Sequence, residues 1–223
     1  MTHDVCVVFD IDDTLYLERD YVRSGFESVG RWASQWLGIE DLAERCWERF
    51  AAGMRGSIFN AVLLETRRES PPELISALIE IYRTHTPAIA LADDAKECLA
   101  TLNSSAAIAV ISDGAIASQS RKADVLDLRR FAAPLILTEI LGSSFRKPHP
   151  LAYRQVEQSR PARRYLYVAD NPLKDFTAPT QLGWTTVRVR RQGGLHSKVE
   201  NPDITPNFEM ADCSGLVGLV DDL

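Results

Sequence analysis

The stretch Val5-Cys6-Val7-Val8-Phe9-Asp10-Ile11-Asp12-Asp13-Thr14 sets how the rest of the chain is read. Five apolar residues, three of them β-branched, run without alternation into a group of carboxylates. An unbroken apolar run of this length fits a strand buried on both faces, as in a parallel sheet covered by helices. Similar short runs recur at Ala106 to Ile111, Leu135 to Thr138, Tyr165 to Ala169 and Thr185 to Val189. Helical patterns lie between and after them, over Asp93 to Leu102, Ala115 to Leu126, Pro148 to Gln158 and Leu173 to Leu182. Pro179 is expected to end or kink the last of these near Ala178. Strands alternating with helices predict an α/β fold, a Rossmann-like core with a central parallel sheet flanked by helices.

Residues 20–87 interrupt that rhythm. Trp32, Trp36, Trp47, Phe50, Phe59, Leu63 and Leu64 recur partly at helical spacing, and Pro71, Pro72 and Pro87 punctuate the segment. This predicts an inserted α-helical unit of three or four helices with these side chains in its core. The core domain would then comprise residues 1–19 and 88–223. Beyond Gly193-Gly194 the chain reads as loop, closed by a short helix around Leu216 to Val220.

Composition narrows the function. With 25 basic and 31 acidic residues the formal charge is −6, and 45% hydrophobic residues suit a folded globular chain. No clustered basic face supports binding to nucleic acid. No apolar run approaches the roughly 18 residues of a membrane span, and the start of the chain lacks the charged and apolar regions of a signal peptide. Cys6, Cys46, Cys98 and Cys213 form no Cys-x-x-Cys pair, and His3, His85, His149 and His196 are scattered. Reduced thiols, a cytoplasmic location and no histidine-built metal centre are expected.

In open parallel sheets, ligands bind at the carboxyl ends of the strands. The first predicted strand is followed by Asp10, Asp12, Asp13 and Thr14, and the second by Ser112-Asp113-Gly114. Beyond the third lies Lys147, and after the fourth comes Asp170-Asn171-Pro172-Leu173-Lys174-Asp175. Several carboxylates, a hydroxyl and a lysine therefore converge on one rim. Taken alone, Ser112 or Asp170 could be helix caps and Lys147 a surface lysine; their joint order is what points to a site.

That order resembles the haloacid dehalogenase superfamily, in its phosphatase-like branch with a helical cap of the first type. The resemblance covers essentially the whole chain and implies the following assignments. Asp10 is the nucleophile and Asp12 the acid and base, which calls for an environment that lets Asp12 hold a proton near neutrality. Ser112, Lys147 and the backbone amides of Asp113 and Gly114, at a helix start, bind phosphate. Mg2+ is held by the side chains of Asp10 and Asp170 and the backbone carbonyl of Asp12. Thr14, Asn171 and Asp175 support these groups, Thr14 by hydrogen bonding within its loop and Asp175 by orienting Lys147 or a metal-bound water. The family's dehalogenases lack the second Asp, because a halide leaving group needs no proton.

The resemblance implies a Mg-dependent phosphatase acting on a small phosphorylated metabolite: a sugar phosphate, a phosphoglycolate-like acid or a nucleoside monophosphate. A phosphomutase on the same scaffold and a non-catalytic ligand-sensing relative are the alternatives. In this branch the cap selects the substrate, and Arg55, flanked by Gly53 and Gly56, is the specificity candidate. The sequence does not reveal the oligomeric state.

Overall fold

A computed structural model describes residues 4–66 and 70–223. His3 and residues 67–69 of the inserted segment lie outside the described residues. The chain divides into two compact units, one of Met1–Arg19 with Ile89–Leu223 and the other of Asp20–Ala88.

The first unit is built on a sheet of β1 (Val5–Phe9), β2 (Ala107–Ser112), β3 (Leu135–Leu137), β4 (Arg164–Ala169), β5 (Thr185–Val189) and β6 (Phe208–Met210). The strand order is β3-β2-β1-β4-β5-β6, and every neighbouring pair is parallel. Each strand of the apolar set was expected from its sequence except β6. Phe208 and Glu209 are exposed at the sheet edge, so β6 carries none of the apolar continuity of β1 to β4. All five β1 residues are buried, as an interior strand covered on both faces requires.

The helices of this unit are α5 (Asp93–Leu102), α6 (Ile116–Val125), α7 (Leu151–Ser159), α8 (Thr177–Gln181) and α9 (Leu216–Asp221). On one face Cys6, Val8, Ala107, Ala109, Ile111, Tyr167 and Ala169 pack with Ala152, Tyr153 and Val156 of α7 and with Ala178 of α8. Alternation along the strands sends Val7, Phe9, Ile108, Val110, Leu166 and Val168 to the opposite face, where all six are also buried. Pro179 does not end a helix, contrary to expectation. It lies in the first turn of α8, where its missing N–H has no intrahelical partner to lose.

The second unit contains most of α1 (Glu18–Leu37), then α2 (Leu42–Ala51), α3 (Ile58–Glu65) and α4 (Pro72–Thr84). Its core is smaller than the sequence pattern suggested. Phe50, Phe59 and Leu63 are buried, but Trp36 is 66% exposed and Leu64 74% exposed. Helical spacing alone could not separate these positions, because a wide apolar stripe exceeds what one helix can bury. No helix among the described residues is long and apolar enough to cross a membrane.

Leu166 is fully buried in β4, between β1 and β5. Leu166→Ala should therefore cost about 2–5 kcal/mol in urea unfolding monitored by circular dichroism. A loss below about 0.5 kcal/mol would contradict the packing described for this face.

Candidate active site

β1 lies between β2 and β4, so the segments leaving these strands meet at one rim. The Asp10 amide continues the ladder by donating to the Val168 carbonyl at 2.9 Å. This pins the first carboxylate beside the end of β4, from which Asp170 emerges.

Lys147 stands at the centre. Its side chain is fully buried, with Nζ 2.7 Å from Asp10 Oδ1 and 2.7 Å from Asp175 Oδ1. It also donates to the Tyr167 hydroxyl at 3.1 Å. Burial by itself would lower the Lys147 pKa, but the charges of Asp10 and then Asp175 more than offset it and hold the ammonium well above its usual range. Asp175 also accepts the Asn171 amide at 3.0 Å. Burial pushes its carboxyl up, but Lys147 and Lys174 outweigh that and keep it low. Asp10 has less support, and burial drives it up to about 6 despite Lys147. The Lys147 amide donates to Asp113 Oδ1 at 3.2 Å, so the Asp113 side chain fixes the backbone beneath the lysine.

Asp12 lies in a different set of contacts. Lys122 on α6 reaches both of its oxygens, at 2.7 and 2.8 Å. Gln119 Nε2 donates to Oδ2 at 3.0 Å, and the Tyr16 hydroxyl donates to Oδ1. Burial favours the neutral acid, but the Lys122 charge and these hydrogen bonds prevail and hold Asp12 below the ordinary carboxylate range. Asp12 is thus held ionised, which corrects the expectation that its surroundings let it keep a proton near neutrality. Half-buried Glu18 is instead raised to about 7 by burial and by Asp12.

Other expected residues take up different contacts from those foreseen. Ser112 donates its hydroxyl to Gln119 Oε1 at 3.1 Å. Gly114 has φ +136° and precedes the helix, which starts at Ile116 rather than at Gly114 itself. Thr14 does not brace its loop through its side chain: Oγ1 is buried without a hydrogen-bond partner. Its carbonyl instead accepts Arg191 Nε at 2.8 Å, and Arg191 pairs with both oxygens of Asp94 at the start of α5. Arg55 belongs to the second unit, where it donates to the Phe50 and Met54 carbonyls and stacks 4.0 Å above the Phe50 ring.

Sequence reasoning missed the loop after β5. His196 Nδ1 lies 2.9 Å from Asp170 Oδ2, and the Leu195 amide donates to Asp13 Oδ2 at 2.6 Å. Burial pushes Asp170 up to about 6 against this histidine, whose own pKa is raised mainly by the same hydrogen bond. The nearby Gly193-Gly194 pair marks a turn, but no local pattern aims a histidine at a carboxylate 26 residues away. Lys122 was equally hidden, since a lysine three residues after a glutamine on a helix reads as a solvated surface position.

Asp10, Asp170 and Asp175 offer oxygens within 4.8 Å of one another, and so do Asp13 and Asp170 with a His196 nitrogen. Both Asp175 oxygens are engaged by Lys147 and Asn171, and both Asp13 oxygens by backbone amides. Asp10 and Asp170, both with raised pKa values, are therefore the carboxylates best suited to a hard divalent cation.

A profile of the haloacid dehalogenase-like hydrolases matches residues 5–183. The chain belongs to that family. It is 25% identical over 218 residues to a glyceraldehyde 3-phosphate phosphatase from Methanopyrus kandleri, covering 92% of this chain and 91% of that protein. Among solved structures, the HAD-hydrolase YfnB from Bacillus subtilis, bound to magnesium, matches at TM-score 0.70 and 18% identity over 99% of this chain and 100% of that one. L-2-haloacid dehalogenase from Xanthobacter autotrophicus matches at TM-score 0.64 and 20% identity over all of both chains. At these identities the structures establish a shared fold.

With carboxyls raised in this way, the affinity of such a site for a cation would depend on pH. Asp10 and Asp170 titrate near 6 in the folded chain, against 3.8 ordinarily, so their contribution to metal-free stability is full below 3.8 and lost as pH rises through 6. Below 6 they also carry protons that a cation must displace. Saturating Mg2+ should therefore raise the melting temperature more at about pH 7.5 than at about pH 5. An equal rise at both values would show that Asp10 and Asp170 are not the ligands.

Proposed function

We propose that the protein is a Mg-dependent phosphomonoester hydrolase working through an aspartyl-phosphate on Asp10. The observation that carries this reading is the pairing of two differently held carboxylates at one strand end. Asp10 is fixed by a buried lysine, and Asp12, two residues on, is fixed by a separate set of donors. A dehalogenase has no use for the second of these, because a halide leaves without a proton.

On this reading the side chains of Asp10 and Asp170 and the carbonyl of Asp12 hold Mg2+. The bound ion supplies positive charge that offsets these carboxylates and the phosphate. Lys147 orients Asp10 and adds a second positive charge for the phosphate oxygens. Ser112 and the amides of Asp113 and Gly114 bind the same oxygens; the positive φ at Gly114 suits a close backbone approach. Asp10 attacks phosphorus, forming an O–P bond as the ester O–P bond breaks. Asp12 gives a proton to the departing oxygen and afterwards takes one from the water that cleaves the aspartyl-phosphate. Its depressed pKa favours the second task. The incoming phosphate dianion favours the first, since added negative charge raises the proton affinity of a neighbouring carboxylate.

The substrate class is a small phosphorylated metabolite. The likeness to a glyceraldehyde 3-phosphate phosphatase supports a sugar phosphate within that class. Residues 20–87 are, on the same reading, the substrate-selecting cap, with Arg55 as a candidate specificity residue.

Purified protein with Mg2+ should release inorganic phosphate from p-nitrophenyl phosphate and, more efficiently, from some member of a sugar-phosphate panel that includes glyceraldehyde 3-phosphate. Asp10→Asn should lower kcat by at least about a thousandfold, and Asp12→Asn by about 10²–10⁴-fold. Full activity in Asp10→Asn or in the presence of a chelator would refute the mechanism, and an isomerised sugar phosphate in place of free phosphate would make the enzyme a mutase.

A further inference from the structure

We propose that Lys122 and Gln119 of α6 are positioning residues that fix the Asp12 carboxylate for its proton transfers. The proposal rests on the phosphatase reading and extends it to two residues that no motif assigns.

The two residues stand three apart on α6, close to one turn, and so share a helix face. The Lys122 side chain is 3% exposed, and its ammonium spans both Asp12 oxygens at 2.7 and 2.8 Å. Gln119 is also buried. Its amide orientation follows from its partners: a carboxylate only accepts, so Nε2 must face Asp12 Oδ2 at 3.0 Å. Oε1 is then left to accept the Ser112 hydroxyl at 3.1 Å. One amide thereby ties the serine proposed to bind phosphate to the carboxylate proposed to move protons.

Two further features keep this arrangement in place. A Cβ at Gly114 would come within 2.7 Å of Gln119 Nε2, so glycine leaves room for the amide. The Tyr16 hydroxyl, from the first-motif loop itself, donates to Asp12 Oδ1. The carboxylate is thus held from both its own loop and α6. A buried ion pair adds little net stability compared with well-packed apolar side chains of the same size. What it contributes here is a fixed direction for the two Asp12 oxygens, and proton transfer is sensitive to such placement.

The test uses the full chain with Mg2+ and p-nitrophenyl phosphate, comparing wild type, Lys122→Met, Lys122→Arg, Gln119→Leu, Asp12→Asn and the Asp12→Asn/Lys122→Met double variant. Lys122→Met should lower kcat by about 10–100-fold while KM changes less than about threefold, the pattern of a lost transition-state contribution. Lys122→Arg should recover part of that loss, and Gln119→Leu should lower kcat less than Lys122→Met. In the Asp12→Asn background, removing Lys122 should lower the residual kcat by less than about twofold, because the lysine acts through the missing carboxylate.

The double variant removes both members of the Asp12–Lys122 pair, so it serves even where Lys122→Met alone unfolds, with Gln119→Leu then reporting on the intact Asp12. A raised KM with unchanged kcat, unchanged kinetics in both Lys122→Met and Gln119→Leu, or equal losses from Lys122→Met in the two backgrounds would overturn the proposal and leave the phosphatase reading standing. Absence of turnover in wild type would overturn both.

Discussion

The buried ammonium of Lys147 organises the centre of the rim of this sheet. Lys147 lies 2.7 Å from both Asp10 and Asp175, two carboxylates that could not be buried so close together without it. Its two partners are not equivalent. Asp175 also accepts the Asn171 amide and is held low by Lys147 and Lys174, whereas at Asp10 burial outweighs the same two charges and leaves a pKa of about 6. The difference matters for reactivity. The better-stabilised carboxylate is an anchor, and the less-stabilised one retains the free lone pairs that a nucleophile or a metal ligand needs. Raised pKa values at Asp10 and Asp170 together mark a place where positive charge is in short supply and where a divalent cation would be bound.

The parallel sheet supplies the registration on which that ammonium depends. β1 is paired on both sides, so the backbone at Asp10 is fixed by the strand ladder and by its bond to Val168. Lys147 arrives from the segment before α7, with its amide tied to Asp113 beyond β2. On the other side Arg188, fully buried in β5, donates to the Asp170 carbonyl and to the carbonyls of His196 and Val199. The loop after β5 is therefore fastened to the same rim, which explains how His196 meets Asp170. These are contacts of great sequence separation, and the core strands that carry them are the elements in which cooperative stability concentrates.

The features legible in the sequence are those that local pattern dictates. β1 to β4 carry continuous apolar runs, β5 breaks its own with Arg188, and α5 begins and ends where its pattern does, because burial on two faces and helical periodicity both leave a trace in residue order. Asp10, Lys147 and Asp170 could be found because strand ends in a parallel sheet converge by topology, whatever the side chains do. The rest of the site escaped for a related reason. Lys122, Gln119 and His196 lie on a helix face and a loop whose local pattern is that of solvent-facing segments, and only tertiary placement turns them toward carboxylates. Thr14 shows the converse: its position in the motif suggested a hydrogen-bonded side chain, but its carbonyl is the group that Arg191 engages. β6 and the exposed Trp36 mark the same limit, since edge pairing and the width of a buried stripe are settled by neighbours distant in sequence.

On the proposed function a carboxylate oxygen of Asp10 attacks phosphorus. The most direct test is to quench the enzyme during turnover of a phosphate ester, reduce the trapped protein with borohydride and locate the modification by peptide mass spectrometry. An acyl phosphate is reduced under these conditions and a free carboxylate is not, so homoserine is expected at position 10 and aspartate at positions 12, 13, 170 and 175. Turnover without any conversion at Asp10, or a phosphoryl group recovered on Ser112, would contradict it.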